Sequence, residues 1–314
     1  MGILCALELK LSDLEETNQE YIVRTLQKLR DRLSTLFSRF VDEQVRGIED
    51  TKVKIKKRKG VIGFIKTFPT FAAAVENMLP EREALDTLEV RFTVTDAYQK
   101  INKAMFESLK FIAKETPTVM TSQHGHGGIA DPEDKEALNY HILLIENMNH
   151  YIEQVDTRAN IVLEEWRDKA SREMAEHMGL YLAAVIRRPL GKLVDFLEST
   201  EALLPPPTTP ASPAPTAIAT RLSHSRSTFK KILASYDAKE IRRGIDALRK
   251  RVEKHFGDAD DPGLSRGLVL KVLRQCEVAY LDVGERTRRV VESVYEGGLE
   301  VEWRKEDVVN AFRR

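Results

Sequence analysis

The sequence predicts an all-α protein, an elongated rod of two stacked antiparallel helical bundles. Three observations carry this. Apolar residues recur at steps of three and four along most of the chain. No segment of useful length alternates with the two-residue period of a strand. One proline-rich stretch, 204–216 (LPPPTTPASPAPT), separates a long first bundle, 1–203, from a smaller second one, 217–314. A chain of 314 residues exceeds what one hydrophobic core usually serves, which also favours two units.

The first stripe runs through Leu11, Leu14, Tyr21, Ile22, Leu26, Leu29, Leu33, Leu36, Phe37, Phe40, Val41, Val45 and Ile48. Ser12 followed by Glu15 reads as a capping box, so the expectation is one helix over about 12–49, roughly 57 Å long. Arg24, Lys28, Arg32 and Asp42 take its other face. The basic run 52–59 and Gly60 then mark a break. Val61, Ile62, Phe64, Ile65 and Phe68 resume an apolar face, with Pro69 at a kink or a new first turn. Phe71, Val75, Met78 and Leu79 follow, and Pro80 sets a boundary. A third helix, 81–114, shows Leu85, Leu88, Phe92, Tyr98, Ile101, Met105, Leu109 and Ile112 at helical spacing.

Residues 116–130 have no periodicity and read as a loop. Asp131, Pro132, Glu133 and Asp134 form a helix start: a capping Asp, a first-turn Pro and acids at the positive end of the dipole. The stripe Leu138, Ile142, Ile145, Met148, Ile152 and Val155 marks a helix that continues, straight or kinked, through Trp166 and Met174 to Ile186; Pro189 interrupts it, and Leu190, Leu193, Val194 and Leu197 form a short continuation. Beyond the linker, helices are expected at about 217–235, 237–256, 262–279, 280–296 and 304–313. Asp237 caps the second, Gly257 ends it, Asp261 and Pro262 start the third, and Gly297-Gly298 makes a turn.

Composition limits the function classes. The formal net charge is zero, so bulk attraction to nucleic acid is not implied, although the part after the linker is moderately basic. Cys5 and Cys276 lie far apart and match no metal spacing, which suits a reducing compartment. Apolar runs are too short to cross a bilayer. The first ten residues lack a basic n-region and long apolar core, so no secretory signal is read there. The chain opens almost directly into helix and is expected to be a piece of something longer.

The strongest candidate site is the basic block Lys52, Lys54, Lys56, Lys57, Arg58 and Lys59. Such a block suits a solvated turn or an acidic partner surface, anionic lipid head groups, or nucleic acid and nuclear import. No aromatic residue interleaves it, which weakens single-stranded nucleic acid. His124 and His126 in HGHGG are two ligands at most, and a surface loop explains them. Asp258, Asp260 and Asp261 lack the twelve-residue calcium pattern, and Asp261 reads as a helix cap. Glu164, Glu165, Arg167 and Asp168 around Trp166 read as a solvated helix face; His141, His150 and His177 read as scattered core-edge or surface residues. No GxSxG, Walker A, GxGxxG after a strand or HExxH occurs, so nothing supports an enzyme, a cofactor, a metal or a small-molecule substrate.

Four long blocks carry a resemblance: FSRFVDEQVRGIEDTKVKIKKRKGVIGFIKTFPTFAAAVENML, DPEDKEALNYHILLIENMNHYIEQVDTRA, HMGLYLAAVIRRPLGKLVDFLE and YDAKEIRRGIDALRKRVEKHFGDADDPGLSRGLVLKVLRQCE. With them the chain resembles the C-terminal region of the exocyst Sec-three subunit (exocyst component one), in a form closest to that of filamentous fungi. The resemblance implies a non-enzymatic module of a tethering-complex rod, which helps hold secretory vesicles at the plasma membrane before fusion. It implies other exocyst subunits as partners and a cytoplasmic, peripheral location at sites of polarised secretion. The family's lipid- and GTPase-binding module and its assembly coiled coil belong to an N-terminal region that this chain does not match. No catalytic residue is carried over. The expected partners therefore stand as other exocyst subunits, or anionic phosphoinositides at residues 52–59, with no nucleic acid.

Overall fold

The computed structural model describes residues 1–14, 16–54, 60–79, 88–114, 135–204, 215–257 and 262–313. Among the described residues every regular element is helical and no strand is present. The expected loop 116–130, the helix start at 131–134 and most of the proline-rich stretch lie outside them.

The chain opens with two helices where one was expected. Helix α1 spans Gly2–Leu14 and α2 spans Glu20–Lys54. Ser12 therefore sits in the last turn of α1 and starts nothing. The Thr17 amide and hydroxyl both donate to the Leu14 carbonyl, at 3.0 and 2.8 Å, closing the turn. No Gly or Pro marks the break, because a threonine side chain supplies the local hydrogen bond instead.

Helix α3 (Gly63–Glu76) carries Pro69 in its interior and buries Ile65, Phe68, Ala72 and Val75. Helix α4 (Glu89–Lys114) supplies the central face with Val94, Tyr98, Ile101, Met105, Leu109 and Ile112. Phe92, expected on that face, is exposed. Helices α1 and α3 both pack on α4, as does α2. Leu4 and Cys5 join Leu88 and Val90 in a small cluster, and the Val90 amide donates to Glu8 Oε2 at 3.1 Å.

Helix α5 spans Lys135–Thr157 and α6 spans Glu164–Glu201. The sequence suggests one helix here. The break lies at Ala159, whose φ of +48° is left-handed, followed by a single 3-10 turn at Ile161–Leu163. Pro189 behaves in the opposite way to expectation. It lies inside α6 and does not interrupt it. Its ring lies close to Gly244, where a Cβ would stand 3.1 Å from the Pro189 Cβ.

Where one helix was expected at about 217–235, two 3-10 turns, Pro215–Thr220 and Leu222–His224, precede α7 (Arg226–Leu233); α8 (Ala238–Phe256), α9 (Pro262–Tyr295) and α10 (Lys305–Phe312) follow. Asp237 caps α8 by accepting from the Glu240 amide at 2.7 Å, and Gly257 closes it by donating to the Glu253 carbonyl. The two helices expected at 262–279 and 280–296 are one continuous helix, since nothing between them breaks the backbone ladder.

The chain divides into two compact units within α6, at His177 and Met178. The first holds α1 to α4, most of α5 and the start of α6. In the second, Phe196 stacks on Phe229 with ring centroids 4.4 Å apart, and Tyr295 donates to the His224 carbonyl at 2.6 Å. Arg286 grips Glu201 bidentately, at 2.9 and 2.6 Å. Such fork-on-fork geometry fixes orientation as well as adding attraction.

Candidate interaction surface

The basic block begins in the last turn of α2, which contains the backbone of Lys52 and Lys54; Lys56, Lys57, Arg58 and Lys59 lie outside the described residues. Its exit is held by α5. The Gly60 amide donates to Glu146 Oε2 at 3.1 Å, and the Ile62 amide donates to Asn147 Oδ1 at 2.8 Å. Asn147 Nδ2 donates in turn to the carbonyls of Gly60 and Leu143. Gly60 has a φ of +79°, a conformation that a side chain would strain. Two buried polar residues on a helix 85 positions later therefore pin the chain where it leaves the cationic stretch. Nothing in the sequence pairs Gly60 with Asn147, because an Asn within an apolar helical stripe carries no mark of its partner.

His141 and His177, read as unrelated, meet: their Nδ1 atoms stand 3.1 Å apart, with the Tyr140 ring against His177. Burial lowers the pKa of both, and the neighbouring His177 lowers that of His141 further. Two nitrogens do not make a metal site, and no group of three or more His, Cys, Asp or Glu is placed to hold a metal among the described residues. The acidic face around Trp166 resolves into contacts. Arg167 pairs with Asp156 and Asp168, and the Trp166 indole donates to Gln99 Oε1 at 2.9 Å.

Beside that indole is a hollow of about 390 Å³ lined by Gln99, Lys100, Lys103, Lys110, Trp166 and Lys169. Three of its cations are engaged. Lys100 pairs with Asp96, Lys110 pairs with Glu173, and Lys169 lies 4.5 Å from the Trp166 ring centroid. Burial pushes the Cys276 thiol up to about 12 and also raises Cys5, which leaves little thiolate for nucleophilic work. The arrangement offers helical faces for contact.

The family model described as "Exocyst complex component Sec3, C-terminal" matches residues 1–297. The chain is 22% identical over 241 residues to exocyst complex component 1 of Mus musculus, covering 77% of this chain and 24% of the relative. Its identity to exocyst complex component 1 of Dictyostelium discoideum is 22% over 280 residues, 88% of this chain and 28% of the relative. Against exocyst complex component SEC3A of Arabidopsis thaliana it is 25% over 272 residues, 86% of this chain and 26% of the relative. The chain thus spans about a quarter of the length of these relatives. No solved structure matches it.

Proposed function

The chain belongs to the exocyst complex component Sec3 C-terminal family, and from that premise we propose that it is a non-enzymatic scaffold module of the vesicle-tethering assembly. It works by presenting helical faces to other exocyst subunits, in the cytoplasm at plasma-membrane sites of secretion. The observation that carries this is the extent of the family match, residues 1–297, over a chain whose described elements are all helical. The absence of any helix long and apolar enough to cross a membrane, among the described residues, is compatible with a peripheral role. Reconstitution tests it. The purified chain mixed with the remaining subunits should co-migrate with them in size-exclusion chromatography; a chain that elutes alone at micromolar concentrations contradicts the scaffold role.

A second reading rests on the density of charge at residues 52–59, where six of eight residues are Lys or Arg. Near an anionic leaflet each contributes about 1 kcal/mol of attraction. In this reading Lys52, Lys54, Lys56, Lys57, Arg58 and Lys59 contact phosphoinositide head groups. Sedimentation with phosphoinositide-containing liposomes decides it. Binding should fall with salt and vanish when Lys56, Lys57, Arg58 and Lys59 are changed to Glu; binding unchanged in that variant excludes the block.

A further inference from the structure

Helix α2 is 35 residues long, yet no residue from Glu20 to Phe40 is buried. That stretch is not polar. Ile22, Leu26, Leu29, Leu33, Leu36 and Phe40 follow one another at steps of four, three, four, three and four. Alternating fours and threes is the heptad spacing of a two-helix seam. On a wheel of about 100° per residue these six share one face, while Val41 and Ile48, which are buried, point about a quarter turn away. Leu33 packs against the Leu4, Cys5, Leu88 and Val90 cluster and α1 packs on α2, so the seam's inner row is taken up within the unit and only its outer row is open. Ile22 is 45%, Leu29 47%, Leu36 51% and Phe40 39% exposed.

The open edge has a charged border. Lys28, Arg32 and Arg39 lie about a quarter turn beyond the seam, opposite to the packed side; past Arg39 the row is mixed, with Arg46 between Glu43 and Asp50. No acid stands on that border between Tyr21 and Arg39. None of these four cations has a carboxylate partner among the described residues, whereas Arg24 on the same helix pairs with Glu20. At its far end the seam runs into the core. Phe40 lies 5.7 Å from Phe71, Phe71 lies 6.3 Å from Phe68, and Phe68 meets Tyr98 edge-on. Beside them is an apolar hollow of about 120 Å³, lined by Phe40, Gln44, Ile48, Phe64, Phe68 and Phe71.

We propose that residues 22–40 of α2 dock an amphipathic helix of another subunit, whose apolar stripe is bordered by Asp and Glu and ends in a large apolar side chain seated in the Phe40–Phe71 hollow. The inference rests on the scaffold reading only in taking the occupant to be a protein subunit. The open row Ile22, Leu29 and Leu36, one residue per heptad and extended by Phe40, suits a helix laid alongside α2, and the unpaired Lys28, Arg32 and Arg39 select acids at its edge. A second copy of this chain would set that basic border against an apolar face bordered by the same cations. A membrane surface favours a broad apolar face, whereas this seam is narrow and its helix is packed along one side. The seam spans about 27 Å.

The test places a photo-crosslinking amino acid at Leu29 or Leu36 in the full chain, assembled with the purified remaining subunits, and maps the products by mass spectrometry. The expected product is a segment with its own four-three apolar repeat and flanking acids. Crosslinks to a second copy, to lipid or to a segment without that repeat overturn the proposal. In parallel, Leu29→Glu combined with Leu36→Glu should weaken incorporation at least about tenfold, which corresponds to about 1.4 kcal/mol, with an unchanged melting curve because both sites are exposed. Arg32→Glu with Arg39→Glu should weaken it by an amount that shrinks at high salt, and Ser38→Glu on the solvent side should do nothing. If the wild-type chain assembles and the double-Glu variant assembles equally well, the seam is wrong and the scaffold role stands. If the wild-type chain itself fails to assemble, the scaffold role falls and the seam with it.

Discussion

Gly284 of α9 lies directly beneath the indole of Trp303: a Cβ at Gly284 would stand 2.6 Å from the ring. Trp303 is almost fully buried, and the guanidinium of Arg288, one turn after Gly284 on α9, lies 5.6 Å from its ring centroid. A glycine inside a long helix costs about 1 kcal/mol relative to alanine, so its presence needs a reason. The reason is contact across the fold, where the absent side chain makes room for the largest ring.

Gly284→Ala should therefore destabilise the second unit, by about 1–3 kcal/mol from overpacking. Gly267→Ala, on the same helix with nothing near its absent Cβ, should stabilise it by up to about 1 kcal/mol. Urea unfolding of both variants checks the pair. Shifts of the same sign would contradict the packing of Trp303 on Gly284.

Leu144 is fully buried at the centre of α5, and Phe64 is half-buried beside the apolar hollow. Leu144→Ala should cost about 2–5 kcal/mol, and Leu144→Asp more, since a carboxylate has no partner there. Phe64→Asp should cost less than Leu144→Asp. Leu222→Asp should cost nothing measurable, because Leu222 is 93% exposed. Thermal melts that rank these variants differently would contradict the assigned core.

Asn147→Leu removes the acceptor for the Ile62 amide and the donor to two carbonyls. The buried groups left without partners should cost about 1–3 kcal/mol. Hydrogen exchange gives a local reading: the Ile62 amide should exchange faster in the variant. Gly60→Ala should act on the same segment through its positive φ, costing about 1–2 kcal/mol.

The His141–His177 pair sets a pH dependence. Both folded pKa values lie below the ordinary histidine value, chiefly because burial penalises the imidazolium. The unfolded chain then binds more protons, so this contribution is full above about pH 6.5 and is lost as the pH falls towards the folded values. Glu176 pulls both pKa values upward and Glu173 does so for His177, which limits the effect. The first unit should melt at a lower temperature at pH 5 than at pH 7. His141→Phe should reduce that difference, and an unchanged slope would contradict the pairing.

The helical class and most helix positions were legible in the sequence. The stripe Tyr98, Ile101, Met105, Leu109 and Ile112 is buried as its spacing requires, and Asp237 and Gly257 bound α8 as capping chemistry requires. Legibility failed where a local signal was overridden or where a break carried no signal. Pro189 reads as a breaker, yet α6 runs through it. Ala159 and Thr17 end helices with no breaker in view.

By itself the sequence determined that the chain is helical, which residues are apolar on each helix, and that a dense cationic run leaves α2. Periodicity and capping act over a few residues, so they are written locally. Which side of an apolar helix is covered depends on the folded arrangement. Leu29 and Leu36 carry the same spacing as Tyr98 and Met105, but the first pair faces out and the second is buried. Burial is a property of what packs opposite, and no residue's own identity records its neighbour across the fold.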